Sequence, residues 1–187
     1  NLSEAMKYFK MAADKGDAET MVTYGDCLLY ENCSTMNMQM ASYYYKMSAD
    51  RKNLSGAAKY GNCLLTGMGV PMNKSEGIRL IKDAAENGNA IGMMFYGLCL
   101  IKGDGVPMNK DEGARYIKKA ADSGNPEILV TYGTCLQNGL GVEKNLKEAA
   151  NIFRAAANKD NSSGLLHYGL CKYNGQGEEQ NKEVGEN

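Results

Sequence analysis

Between residues 73 and 108 the apolar positions recur at helical intervals twice over. Gly77, Leu80, Ile81, Ala84 and Ala85 follow i, i+3, i+4, i+7 spacing and so share one face. After a break at Gly88-Asn89, the positions Met93, Tyr96, Gly97 and Leu100 do the same. The pattern predicts two amphipathic helices joined as a hairpin. Asn73 followed by Glu76 is a capping-box-like start for the first helix, and Gly88 suits a left-handed C-cap at its end. Asn89 starts the second helix, and a Gly-x-Gly-Val-Pro turn from Gly103 to Pro107 leaves it.

This pattern returns along the whole chain. Tyr-Gly stands at Tyr24, Tyr60, Tyr96, Tyr132 and Tyr168, a step of 36 residues, and a cysteine follows each glycine by two positions. Asn1, Asn37, Asn73, Asn109, Asn145 and Asn181 keep the same beat. The chain reads as one domain, 1–187, built of units 1–36, 37–72, 73–108, 109–144 and 145–180 with a partial unit at 181–187. A period of this length predicts an all-α fold, a right-handed α/α superhelix in which each helix-turn-helix unit touches only its neighbours. Asn1/Glu4, Asn109/Glu112 and Asn145/Glu148 repeat the start signal; unit two has Met40 in the glutamate slot. Gly16 and Gly124 repeat the first-helix end signal, and Lys52 and Asp160 stand in the same slot elsewhere. A glycine inside a helix costs about 1 kcal/mol relative to alanine. The glycine after each tyrosine therefore predicts a close approach, expected to be to the Ala84-Ala85 pair of its own unit and its equivalents.

The in-phase pattern resembles the Sel1-like repeat. It is carried by Ala5, Phe9, Ala12, Ala13, Gly16, Ala18 and Gly25 in unit one. In unit three it is carried by Gly77, Ala84, Ala85, Gly88, Ala90, Gly97, Gly103, Gly105 and Val106. That family is similar to tetratricopeptide repeats with a slightly longer unit. Unit one departs from it where Glu31-Asn32-Cys33 replaces the Gly-x-Gly exit turn. The resemblance implies a non-catalytic protein–protein interaction scaffold or adaptor with first helices on the concave face. It also implies one region of a larger signalling or complex-assembly protein, as does a chain that opens on a helix-start signal without an initiator Met. A cysteine-rich branch of the family is associated with β-lactam binding, but it carries two cysteines per unit where this chain has one on the ladder. That leaves a hydrolase as an alternative, and a passive spacer as another.

Composition narrows the classes. The net charge of -1 disfavours a nucleic-acid partner, and no apolar run reaches the length of a membrane span. Equivalent helices stack about 8–10 Å apart, too far for ladder cysteines to form disulfides. The six cysteines are expected as free thiols of a cytoplasmic protein, all shielded except Cys33. No cofactor or metal is expected, since no Cys-x-x-Cys or His pair exists and the Gly-x-Gly turns lack a dinucleotide fingerprint. His167 sits in a slot shared with Thr23, Lys59, Phe95 and Thr131 and reads as a surface residue.

One charge pattern stands out. Lys10, Lys46, Lys82, Lys118 and Arg154 share a slot in all five units, with Tyr43, Arg79 and Arg115 in the slot three residues earlier. Both slots lie opposite the apolar face, within about 60° of each other. Acids four residues later (Asp14, Asp50, Glu86, Asp122) pair with this ladder or leave it free. The binding expectation is a groove of Lys10, Tyr43, Lys46, Arg79, Lys82, Arg115, Lys118 and Arg154 that takes a peptide or protein with acidic groups. Leu165, Leu166 and Tyr168, uncovered at the end of the array, predict end-to-end self-association.

Overall fold

The computed structural model describes residues 2–31 and 34–176, which form ten helices and no strand. They are α1 (Leu2–Asp14), α2 (Ala18–Glu31), α3 (Thr35–Asp50), α4 (Leu54–Thr66), α5 (Lys74–Glu86), α6 (Ala90–Lys102), α7 (Lys110–Ala121), α8 (Pro126–Asn138), α9 (Leu146–Ala157) and α10 (Ser162–Tyr173). Odd-numbered helices are the first members of the hairpins and even-numbered ones the second. Among the described residues no helix is long and apolar enough to cross a membrane.

The asparagine beat is a capping beat. Asn73, Asn109 and Asn145 accept from the backbone N–H of Glu76, Glu112 and Glu148 at 3.2, 3.2 and 3.0 Å. Asn53, Asn89 and Asn161 cap the second helices by accepting from Gly56, Gly92 and Gly164, each at 2.8 Å. Each bond satisfies an N–H that the helix itself leaves without a partner. The Asn1/Glu4 start signal lies partly outside the described residues. Unit two departs from the beat. α3 begins early, capped by Ser34, whose Oγ accepts from Asn37 N at 3.2 Å. Asn37 is thus inside the helix, and its amide donates to Leu28 O at 3.1 Å. This unit follows the one exit turn without Gly-x-Gly. At the C-termini of the first helices, Lys52 and Asp160 adopt the left-handed conformation that Gly88 and Gly124 adopt in theirs, at φ 62° and 57°.

The glycine after each tyrosine meets a different neighbour from the one the sequence suggests. A Cβ on Gly97 would stand 2.6 Å from Gly113 O and 2.6 Å from Ile117 Cγ1, both on α7 of the next unit. Gly61 meets Gly77 O at 2.8 Å and Ile81 of α5 in the same way. The Ala84-Ala85 pair instead receives Gly92, at the start of α6, where a Cβ would lie 2.8 Å from Ala84 Cβ and Ala85 N. The closest crossings therefore lie between units, α4 on α5 and α6 on α7, and these pairs pack more extensively than the hairpin partners do.

Two packing solutions occur at the crossings between units: backbone contact at the two central ones and an aromatic ring at the two flanking ones. Gly77 with Ile81, and Gly113 with Ile117, let the backbones meet. Where the first position is Ala41 or Ala149, an aromatic four residues on fills the space, Tyr45 against Gly25 and Phe153 against Gly133. A Cβ on Gly25 would come to 2.5 Å from Tyr45 Cε1, and one on Gly133 to 2.6 Å from Phe153 Cε1. Gly169, the fifth member, has nothing within 4 Å among the described residues. The larger side chain substitutes for the closer backbone contact, which keeps the interior filled.

The curvature follows from which row packs on itself. α2 packs on α4, α4 on α6, α6 on α8 and α8 on α10, whereas consecutive first helices have no comparable contact among the described residues. The row whose members touch lies inside the bend. Second helices therefore line the concave side and first helices the outer side. This corrects the family-based expectation that first helices are concave.

Candidate partner-binding site

On the outer row, Lys10, Tyr43, Lys46, Arg79, Lys82, Arg115, Lys118 and Arg154 are all exposed. The first three lysines of the ladder are paired within their helices: Lys10–Asp14 at 2.7 Å, Lys46–Asp50 at 2.9 Å and Lys82–Glu86 at 3.6 Å. The Lys10 ammonium and the Tyr44 hydroxyl hold the Asp14 carboxyl below its usual range. Arg79 grips Glu76 through both nitrogens at 2.6 and 2.7 Å, and lowers its carboxyl likewise. Arg115 and Arg154 donate to Asp111 O and Asn151 Oδ1, at 3.3 and 3.2 Å. Lys118 has no carboxylate within ion-pair distance among the described residues. The positive ladder is thus largely neutralised in units one to three, and exposed pairs of this kind add little to stability. Between consecutive first helices the surface dips. One groove of about 480 Å³ holds Lys46, Asp50, Glu76 and Arg79 above Tyr60. The next, about 490 Å³, holds Lys82 and Glu112 above Tyr96. Both mix signs of charge.

The inner side is organised differently. Asp26, Leu29 and Tyr30 of α2, Lys59 and Asn62 of α4, Phe95 of α6 and Glu127 of α8 surround one open cavity of about 450 Å³, with Tyr45 and Met68. Tyr45 comes from α3 on the outer row. Its ring crosses the core against the bare backbone of Gly25, and its hydroxyl emerges inside to donate to Asp26 Oδ1 at 2.6 Å. Lys59 Nζ binds the same oxygen at 2.9 Å and stands 5.7 Å from the Tyr45 ring centroid. The Lys59 side chain is only 16% exposed. Burial, reinforced by the Asp26 charge, pushes the Tyr45 phenol far above its ordinary value, so it stays a proton donor. Among the described residues no buried side-chain nitrogen or oxygen lacks a hydrogen-bond partner. Around this fixed network the aromatic groups are available: Tyr30 is 86% exposed and Phe95 half-buried.

Other candidates are used in packing. His167 is half-buried, its ring stacked on Phe153 with centroids 4.8 Å apart, rather than free on the surface. In three described exit turns the second glycine folds back onto its own unit, Gly69 on Met38, Gly105 on Ile78 and Gly141 on Lys110. Among the described residues no group of three or more His, Cys, Asp or Glu side chains is arranged to hold a metal. Cys63, Cys99, Cys135 and Cys171 are buried free thiols, while Cys27 is half-buried. Cys33 lies outside the described residues. Burial pushes the Cys63 thiol up to about 12 and those of Cys99 and Cys135 up to about 11. Thiolate, not thiol, is the nucleophile. The native protein at pH 8 is therefore expected to leave these four cysteines unmodified by a disulfide-exchange reagent. Denaturant should release all four at once, read from absorbance. Rapid native modification of Cys63 would contradict the burial.

The ladder residues were legible in the sequence because they recur; the inner cavity does not recur, and it was missed. Asp26 and Lys59 lie in different units and in slots that tolerate many residue types. One signal was present: Tyr45 occupies the slot of Ile81, Ile117 and Phe153, so a buried hydroxyl there requires a partner.

The Sel1 repeat model matches residues 1–17, 21–53, 54–89, 90–125, 132–161 and 162–185. Three of these segments begin at the start of a second helix, so the family's unit pairs a second helix with the first helix that follows. That is also the more extensively packed pair. No match was found among curated proteins. Among solved structures, the chain is similar to c5321, a protective antigen present in uropathogenic Escherichia coli strains that displays an SLR fold. Identity is 28% and the TM-score 0.63, covering 97% of this chain and 39% of that one. It is also similar in fold to a Sel1 repeat protein from Oxalobacter formigenes, at 21% identity and a TM-score of 0.62. That match covers 87% of this chain and 64% of the other.

Proposed function

The chain belongs to the Sel1 repeat family, and we propose that it is a scaffold that binds a protein partner on its concave face, in the cavity between α2 and α8. A Sel1-repeat solenoid is a fold generally used for protein–protein interaction, and proteins of this family are generally non-catalytic. The observation that carries the proposal is convergence. Side chains from four successive second helices meet at one open cavity, around a bonded Lys59–Asp26–Tyr45 network whose tyrosine and lysine are mostly buried. A preformed surface of this kind binds with little ordering cost on its own side. Exposed Tyr30 and half-buried Phe95 are the anchors, since large aromatics at the centre of a concave site carry most of the affinity in such interfaces.

The test is affinity capture from lysate with three baits, each confirmed as folded by circular dichroism. One is the unaltered chain. The second carries Tyr30→Ala and Phe95→Ala. The third carries Lys10, Lys46, Lys82, Lys118 and Arg154 all changed to Glu. A partner retained by the third bait and lost by the second is the expected result. Loss from the third bait alone moves binding to the outer cationic ladder. Retention by both would remove the cavity from consideration.

A further inference from the structure

Resting on that reading, we infer that the inner cavity recognises a basic side chain, arginine or lysine, presented by the partner segment. The charge around the cavity is unbalanced: two carboxylates, Asp26 and Glu127, face one ammonium, Lys59. Lys59 and the Tyr45 hydroxyl both bind Asp26 Oδ1, so Oδ2 is left without a partner among the described residues. The Glu127 carboxylate also has no hydrogen-bond or ion-pair partner there; its backbone N–H donates to the cap residue Asn125 at 2.9 Å and its backbone carbonyl accepts from Thr131 Oγ1 at 3.0 Å. Lys59 cannot supply that balance, because its ammonium is already held between Asp26 and the Tyr45 ring.

The remaining walls suit a cation. Tyr30 and Phe95 offer ring faces, and a ring face carries negative potential that attracts a guanidinium or ammonium within about 6 Å. The stem of an arginine or lysine is apolar and fits beside Leu29 and Met68, while its head reaches the carboxylates. An acidic side chain would meet two carboxylates and an ammonium already committed, so the cavity selects against it. In the outer groove over Tyr60 every carboxylate is already engaged: Asp50 pairs with Lys46, Glu76 with Arg79, and Asp83 accepts from Asn87 at 3.3 Å.

Short random peptides displayed on phage are the probe, selected on the unaltered chain at low salt. Enriched peptides are expected to share an arginine or lysine flanked by apolar residues. Binding of a synthetic copy should weaken about tenfold on Glu127→Gln and again when its basic residue becomes glutamine. Glu127 makes no side-chain bond within the described fold, so this variant tests recognition without disturbing packing. Peptides that lack a basic residue, yet lose binding on the Tyr30→Ala and Phe95→Ala double change, would overturn the inference and leave the scaffold reading standing. No enrichment, or binding indifferent to every cavity substitution, would overturn both.

Discussion

Gly97→Ala is expected to destabilise the chain by about 2 kcal/mol, whereas Gly169→Ala, in the same slot of the repeat, should stabilise it by about 0.5–1 kcal/mol. Alanine is the better helix former at both sites, by about 1 kcal/mol. At Gly97 the new methyl would lie 2.6 Å from the Gly113 carbonyl oxygen and 2.6 Å from Ile117 Cγ1. Ile117 can shift, but the α7 backbone cannot without separating the two helices. Overpacking therefore outweighs the propensity gain. At Gly169 nothing stands within 4 Å among the described residues, and only the gain remains. Urea unfolding of the two variants, followed by circular dichroism, compares them directly. Equal destabilisation at both sites would mean the glycine serves its own helix rather than the neighbouring one.

Asp26→Ala has the second large effect, an expected loss of about 2–3 kcal/mol. Asp26 itself is half-exposed, so its own interactions are screened. The cost lies in what it leaves behind. Tyr45, 2% exposed, would hold a hydroxyl with no acceptor, and the mostly buried Lys59 ammonium would lose its counter-charge. Tyr45→Phe removes one donor and leaves the Lys59–Asp26 pair, so it should cost about 0.5–1.5 kcal/mol. Asp26→Asn keeps an acceptor for the Tyr45 hydroxyl and should fall between the two. The ordering is the test, read from denaturation midpoints: Asp26→Ala above Asp26→Asn above Tyr45→Phe. A Tyr45→Phe loss equal to that of Asp26→Ala would mean that Lys59 does not depend on the carboxylate.

Much of the fold is written locally in this chain. The asparagines cap their helices except Asn37, the Gly88 and Gly124 slots adopt the left-handed turn, and even Lys52 and Asp160 follow their slot rather than their residue type. These features depend on a few neighbouring residues, so a period in the sequence becomes a period in structure. The partner of Gly97 was not legible, because a bare backbone says only that something comes close. The concave row was not legible either. It depends on small rotations accumulated between units, which no single slot encodes. The inner site shares both problems. Asp26, Lys59 and Tyr45 meet only because α2, α3 and α4 stack with a particular curvature. The recurring lysines of the outer row draw attention by their regularity, yet in units one to three each is paired within its own helix.

Site-specific photo-crosslinking decides between the two faces most directly. A benzophenone amino acid replaces Tyr30 on the concave side in one preparation and Tyr43 on the outer row in another. Both tyrosines are exposed, so either probe can reach a bound partner. Concave binding predicts a crosslinked partner from position 30 and none from position 43. A crosslink from position 43 alone would put the partner on the outer row and refute the inner site.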